Sequence, residues 1–106
     1  MTLEVGEYIE KNKPRFLSEL LELLKIPSVS ADPEYKDQVV LMANKVAEHL
    51  EAAGVQKVTI YPTPGHPIVY GEHLISPSAP TVLVYGHYDV QPADPLELWT
   101  TSPFDP

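Results

Sequence analysis

The residues best equipped for chemistry lie at 86–89, where Gly86-His87-Tyr88-Asp89 follows the apolar run Thr81-Val82-Leu83-Val84-Tyr85. If the extended conformation of the run continues, His87 and Asp89 point to one side and Tyr88 to the other. Gly86 allows the backbone to bend, or to approach a neighbour closely, at the handover. Just past the C-terminal end of a strand is where open α/β sheets place their ligands. An imidazole beside a carboxylate is the usual pairing of a metal site. One ring nitrogen binds the ion, and the carboxylate orients the ring through the other or stands behind it. The same tripeptide is also common as an ordinary surface pattern. A catalytic zinc takes about three protein ligands, and His87 and Asp89 supply one or two.

Composition narrows the chemistry. The chain has 106 residues, enough for one small domain with a modest core, and 43% of them are hydrophobic, as a folded protein requires. Net charge is -8, and the seven Lys and Arg residues are scattered. Nucleic acid and anionic membrane surfaces are therefore disfavoured as partners, since both need a basic patch. There is no cysteine, so a metal has to be held by His, Asp or Glu, and the absence fits a cytoplasmic protein. The start, MTLEVGEYIE, has neither the basic nor the apolar region of a signal peptide. No apolar run is long enough to span a membrane.

The elements that must position the site follow from periodicity. Ile9, Phe16, Leu17, Leu20, Leu21 and Leu24 recur at helical spacing and predict a helix over about 4–25. Pro14 either kinks it or starts its second half, and Ile26-Pro27 ends it. Asp32 as N-cap and Pro33 at the first position open a second helix, over about 35–53. Its buried stripe is Val39, Ala43, Val46, Ala47 and Leu50, and Gly54 stops it. The period then changes to two. Val58–Tyr61 and Ile68–Tyr70 predict strands joined by a short link, hence antiparallel. Thr81–Tyr85, unbroken in its apolar character, predicts a third strand buried on both faces. Nine of the 12 prolines fall after residue 60. They mark either turns or a loosely structured second half, and the apolar segments between them favour turns. The fold class is thus α/β, two N-terminal helices packed on a mixed β-sheet. Two helices cover little more than one face, so a doubly buried third strand leaves the domain incomplete.

Other polar residues carry weaker expectations. His66, in Pro64-Gly65-His66-Pro67, reads as a turn residue, His73 as lying at a strand end, and His49 as lying at the surface or edge of the second helix. Asp94 and Asp105 fall in proline-rich turns and read as solvated. Trp99 and Phe104 read as anchors for the last loop, and Tyr88 as core packing rather than site lining.

Three stretches together are more specific than His-x-Asp. LLKIPSVSADPEY, PTPGHPIVYGE and LVYGHYDVQPADPLELWTTSPFDP, in this order along the chain, resemble the M20 group of dinuclear zinc exopeptidases, in particular its carnosinase-like dipeptidases. The similarity runs from about residue 8 to residue 106. It implies that residues 1–106 are the N-terminal part of a three-layer α/β/α catalytic domain. It implies that His87 binds one of two zinc ions, and that Asp89 orients that histidine and supports catalysis. Manganese or cobalt also suits such an oxygen- and nitrogen-rich site. The bridging Asp, the Glu-Glu pair with the general base and a late histidine have no counterpart here; neither Glu72 nor Glu97 matches the base position. Neither has the lid domain through which the group dimerises. The resemblance implies hydrolysis of dipeptides or short peptides by a homodimeric full-length protein. The 106-residue chain alone is then expected to be inactive and to bind zinc weakly or not at all. The alternative is a stand-alone, non-catalytic binding or assembly module.

Overall fold

The computed structural model describes residues 2–106, with side chains from Glu4 onward. Helix α1 (Thr2–Leu24) is continuous through Pro14. A 3-10 turn (Pro33–Tyr35) leads into α2 (Lys36–Ala52), and strands β1 (Lys57–Tyr61) and β2 (Ile68–Glu72) follow. The second helix forms where its periodicity and punctuation place it. The Asp32 carboxylate accepts from the Glu34 amide at 3.0 Å, capping the turn that carries Pro33 at its start. At the other end Gly54 takes φ +94. The Val55 amide then reaches back to the Leu50 carbonyl at 3.1 Å and the Gly54 amide to Glu51 at 3.0 Å. This paired arrangement satisfies the last carbonyls of the helix, and glycine supplies its left-handed residue. Val39, Met42, Ala43 and Ala47 are the buried residues of α2.

The two strands pair antiparallel, with Val58 opposite Gly71 and Ile60 opposite Val69. Val58, Ile60 and Val69 are half-buried, while Tyr61, Ile68 and Tyr70 on the other face are exposed. The half-buried face lies against α2. Gly71 belongs to it, and a Cβ there would stand 2.9 Å from Val55 Cγ1 and 3.4 Å from Leu50 Cδ1. Gly71→Ala is therefore expected to destabilise the chain by about 1–3 kcal/mol, the usual cost of overpacking. Adding Val55→Ala should recover part of that loss in urea denaturation followed by circular dichroism. A Gly71→Ala variant as stable as the parent would show that the helix and ribbon are not in contact there.

Two expectations from the sequence are corrected. Thr81–Tyr85 is not a buried strand. It forms no backbone–backbone hydrogen bond among the described residues, and Val82, Leu83, Val84 and Tyr85 are 82–91% exposed. The apolar pattern favours burial, but a strand also needs a partner, and none of the described segments pairs with it. The sheet of the described residues is accordingly a two-stranded antiparallel ribbon. Helix α1 has the apolar stripe expected of it, yet no residue from Glu4 to Leu24 is buried; Leu17, Leu20 and Leu24 are 44–57% exposed. The radius of gyration, 16.6 Å, exceeds the ~13 Å of a compact domain of this length. Among the described residues no helix is long and apolar enough to cross a membrane.

Candidate metal centre

The site is built where two distant segments touch. Val29 and Val90 form an isolated parallel bridge. The Val90 amide donates to the Ser28 carbonyl at 3.0 Å, and the Ser28 hydroxyl donates to the Tyr88 carbonyl at 2.8 Å. Ser28 is fully buried and Val29 nearly so. The Ser28-Val29-Ser30 stretch thus acts as a mould for Tyr88-Asp89-Val90. The core around Val29 and Val39 fixes the mould, and the mould fixes the site.

His87 and Asp89 do point to one side. His87 Nδ1 lies 2.9 Å from Asp89 Oδ1 and 3.1 Å from the Asp89 carbonyl. Both are acceptors, so Nδ1 carries the proton of the neutral ring. Nε2 forms no hydrogen bond among the described residues, and the His87 side chain is 74% exposed. The other carboxylate oxygen is held as well: the Ser30 hydroxyl donates to Asp89 Oδ2 at 2.5 Å. That bond, foremost, holds the Asp89 carboxyl below the usual carboxylate range; partial burial opposes it, and the hydrogen bond from His87 adds to it. Tyr88 turns the other way and donates to the Pro67 carbonyl. Burial first, and the Asp89 charge second, push its hydroxyl up.

His66 is not a bystander of its turn. Its Nε2 lies 2.9 Å from the Ser30 carbonyl, which can only accept, so His66 donates there. His66, Ser30, His87 and Asp89 share a small cavity of about 170 Å³. A larger apolar cavity of about 780 Å³, lined by Leu23, Ile26, Met42, Val46, Trp99 and Phe104, also reaches residues 87–89. Phe104 is half-buried, as a loop anchor should be, whereas Trp99 is 49% exposed and its ring nitrogen donates to the Ala93 carbonyl of the same loop at 3.1 Å. Asp94 and Asp105 are exposed. His73 follows β2 and meets the Gly54 carbonyl at 3.2 Å; His49 is half-buried on α2. His73 and His49 line neither cavity that His87 lines.

The donor set fits part of a metal site. An imidazole with a free nitrogen and an oriented carboxylate are what a ligand and its support require. Among the described residues no group of three metal-competent side chains is gathered, fewer than a catalytic ion takes from a protein. Ser30 and Ser28 were missed by sequence reasoning. The Ser-Val-Ser sequence was visible, but nothing local tied it to residues 59–60 positions away.

The helix pair, the ribbon and the His-x-Asp pair are similar to part of several proteins named dipeptidases. No protein-family model matches the chain. In particular, it is 40% identical to the Cys-Gly metallodipeptidase DUG1 of Candida albicans, over 91% of this chain and 22% of that protein. It is 28% identical to the Beta-Ala-His dipeptidase of Homo sapiens, over 95% of this chain and 22% of that one. The solved structure of the dipeptidase Dug1p from Saccharomyces cerevisiae superposes with a TM-score of 0.84 at 34% identity, covering 93% of this chain and 23% of that chain. The chain therefore spans between a fifth and a quarter of the length of these relatives.

Proposed function

We propose that the protein of which these residues form a part is a metal-dependent hydrolase of dipeptides or short peptides, with His87 as a metal ligand and Asp89 as the carboxylate that orients it. The observation that carries this reading is the Nδ1 to Oδ1 hydrogen bond of 2.9 Å, which turns the free Nε2 of an exposed ring outward. Similarity to a protein named a Cys-Gly metallodipeptidase and to one named a Beta-Ala-His dipeptidase supports the reaction class. A divalent ion in such a site polarises the scissile carbonyl and acidifies its water. Zinc is the ion we favour, with manganese and cobalt compatible with the same donors. The role of His87 is to donate the Nε2 lone pair. Asp89 keeps the Nδ1 proton in place, so the ring neither rotates nor changes tautomer. Further ligands and the general base come from outside residues 1–106. We also place the whole protein in the cytoplasm as a homodimer, the first on its lack of cysteine here and the second on the resemblance alone.

The test compares the 106-residue chain with the product of the whole reading frame. The longer protein is expected to retain a divalent metal through dialysis and to hydrolyse dipeptides. The short chain should turn over none, and should bind zinc no more tightly than a free histidine–carboxylate pair. Tight stoichiometric zinc binding by the short chain sinks the view that most ligands lie elsewhere. A reading frame that stops after Pro106 sinks the hydrolase reading and leaves a binding module.

A further inference from the structure

We propose that Ser30 is a positioning residue for His87: its hydroxyl clamps the Asp89 carboxylate so that Asp89 selects the His87 tautomer with Nδ1 protonated and Nε2 free. Ser30 donates to Oδ2 while His87 donates to Oδ1, so the carboxylate is held at both oxygens. The carboxylate is 42% exposed. Without the hydroxyl it is free to rotate about its own side-chain bonds, and the orientation that suits Nδ1–H becomes one among several. Ser30 is itself fixed from two directions. Its carbonyl accepts from His66 Nε2 at 2.9 Å, and the preceding Ser28 and Val29 are locked to residues 88–90 by the bridge. The clamp therefore ties the turn between β1 and β2, the loop after α1 and the His-x-Asp stretch into one unit, with Ser30 where they meet. In neutral imidazole free in water the proton prefers Nε2, the nitrogen a ligand must leave free, so the choice made at Nδ1 has to be enforced by neighbours.

The inference rests on the metal-ligand reading of His87 for its purpose, but its test does not. The tautomer of His87 is read from the two ring-nitrogen resonances of the ¹⁵N-labelled, metal-free 106-residue chain, at a pH where the ring is neutral. The parent is expected to show mainly the Nδ1–H form. In Ser30→Ala the ratio of Nδ1–H to Nε2–H should fall about three- to tenfold, the range that loss of one such hydrogen bond gives. Ser30→Thr, which keeps the hydroxyl, should restore it. Ser30→Cys, a weaker donor of similar size, should fall between. An unchanged ratio in Ser30→Ala with an intact amide spectrum overturns the proposal. So does collapse of the amide spectrum in both Ser30→Ala and Ser30→Cys, which would assign Ser30 to the fold instead. If the ratio shifts as expected while zinc perturbs neither ring resonance in the whole protein, the positioning role stands and the metal-ligand reading of His87 fails.

Discussion

In the whole protein, His87→Ala is expected to lower kcat/KM for a dipeptide by about 10³ or more, a loss of roughly 4 kcal/mol of transition-state stabilisation. The same variant should lose metal on dialysis, read by elemental analysis. Alanine removes a donor that the exposed ring offers directly, and no other described histidine stands ready to replace it. His66 points its Nε2 at Ser30 instead. Asp89→Asn is expected to act differently. Both carboxylate oxygens accept in the parent, one from Ser30 and one from His87. An amide has one oxygen and one NH₂ group. If the NH₂ faces the ring, Nδ1 must accept, the proton moves to Nε2 and the ligand position is blocked. If it faces Ser30, the hydroxyl can rotate to accept and the ring keeps its tautomer, with a neutral acceptor in place of a charged one. The expected loss is accordingly smaller, about 10–100-fold in metal affinity or activity. Equal losses from His87→Ala and Asp89→Asn would mean that Asp89 does more than orient the ring. Full metal content and activity in His87→Ala would end the ligand assignment.

What the sequence disclosed followed the range of the interactions involved. Helix α2 was legible because Val39, Ala43 and Ala47 recur at helical spacing between a local Asp32 cap and a Gly54 stop. The ribbon was legible because Val58 and Ile60 alternate with Thr59 and Tyr61, and the link to Ile68 is short. His87 and Asp89 were legible because their geometry needs nothing beyond the pleat of three consecutive residues. Their supports were not. Ser30 reaches Asp89 across 59 positions, and the His66 ring reaches Ser30 across 36. Such contacts arise from how α2 and the ribbon carry the loops, and they leave no periodic trace. Thr81–Tyr85 failed for the complementary reason. Its residues state a preference for burial, but whether it is met depends on segments that pair with it. The apolar stripe of α1 is the same case on a helix: Leu17 and Leu20 are spaced for a core that the described residues do not build over them.

That unmet preference yields the last expected result. The isolated 106-residue chain should associate with itself through Thr81–Tyr85, its sedimentation coefficient rising between about 5 and about 200 µM. Val82, Leu83, Val84 and Tyr85 are almost fully exposed, and among the described residues their segment makes no backbone–backbone hydrogen bond. Apolar side chains without a charge or proline on an unpaired extended segment are what templates strand pairing. Burying one Val or Leu contributes about 1.5–3 kcal/mol, against an association cost of about 4–15 kcal/mol. Four such side chains therefore support concentration-dependent association rather than a permanent dimer. Val82→Lys with Val84→Lys places two charges on one face of the run and should weaken association about tenfold or more. The α2 helical signal should persist, because neither side chain touches the core. Helix α1 offers the rival surface, so Leu17→Lys with Leu20→Lys is the necessary control. The run is favoured over α1 because its side chains are 82–91% exposed against 50–57% for Leu17 and Leu20, and because helical backbone groups are already paired. Loss of association in the helix variant but not in the 82/84 variant would move the surface to α1. A monomer at every concentration would mean that four exposed apolar residues are too few to overcome the cost of bringing two chains together.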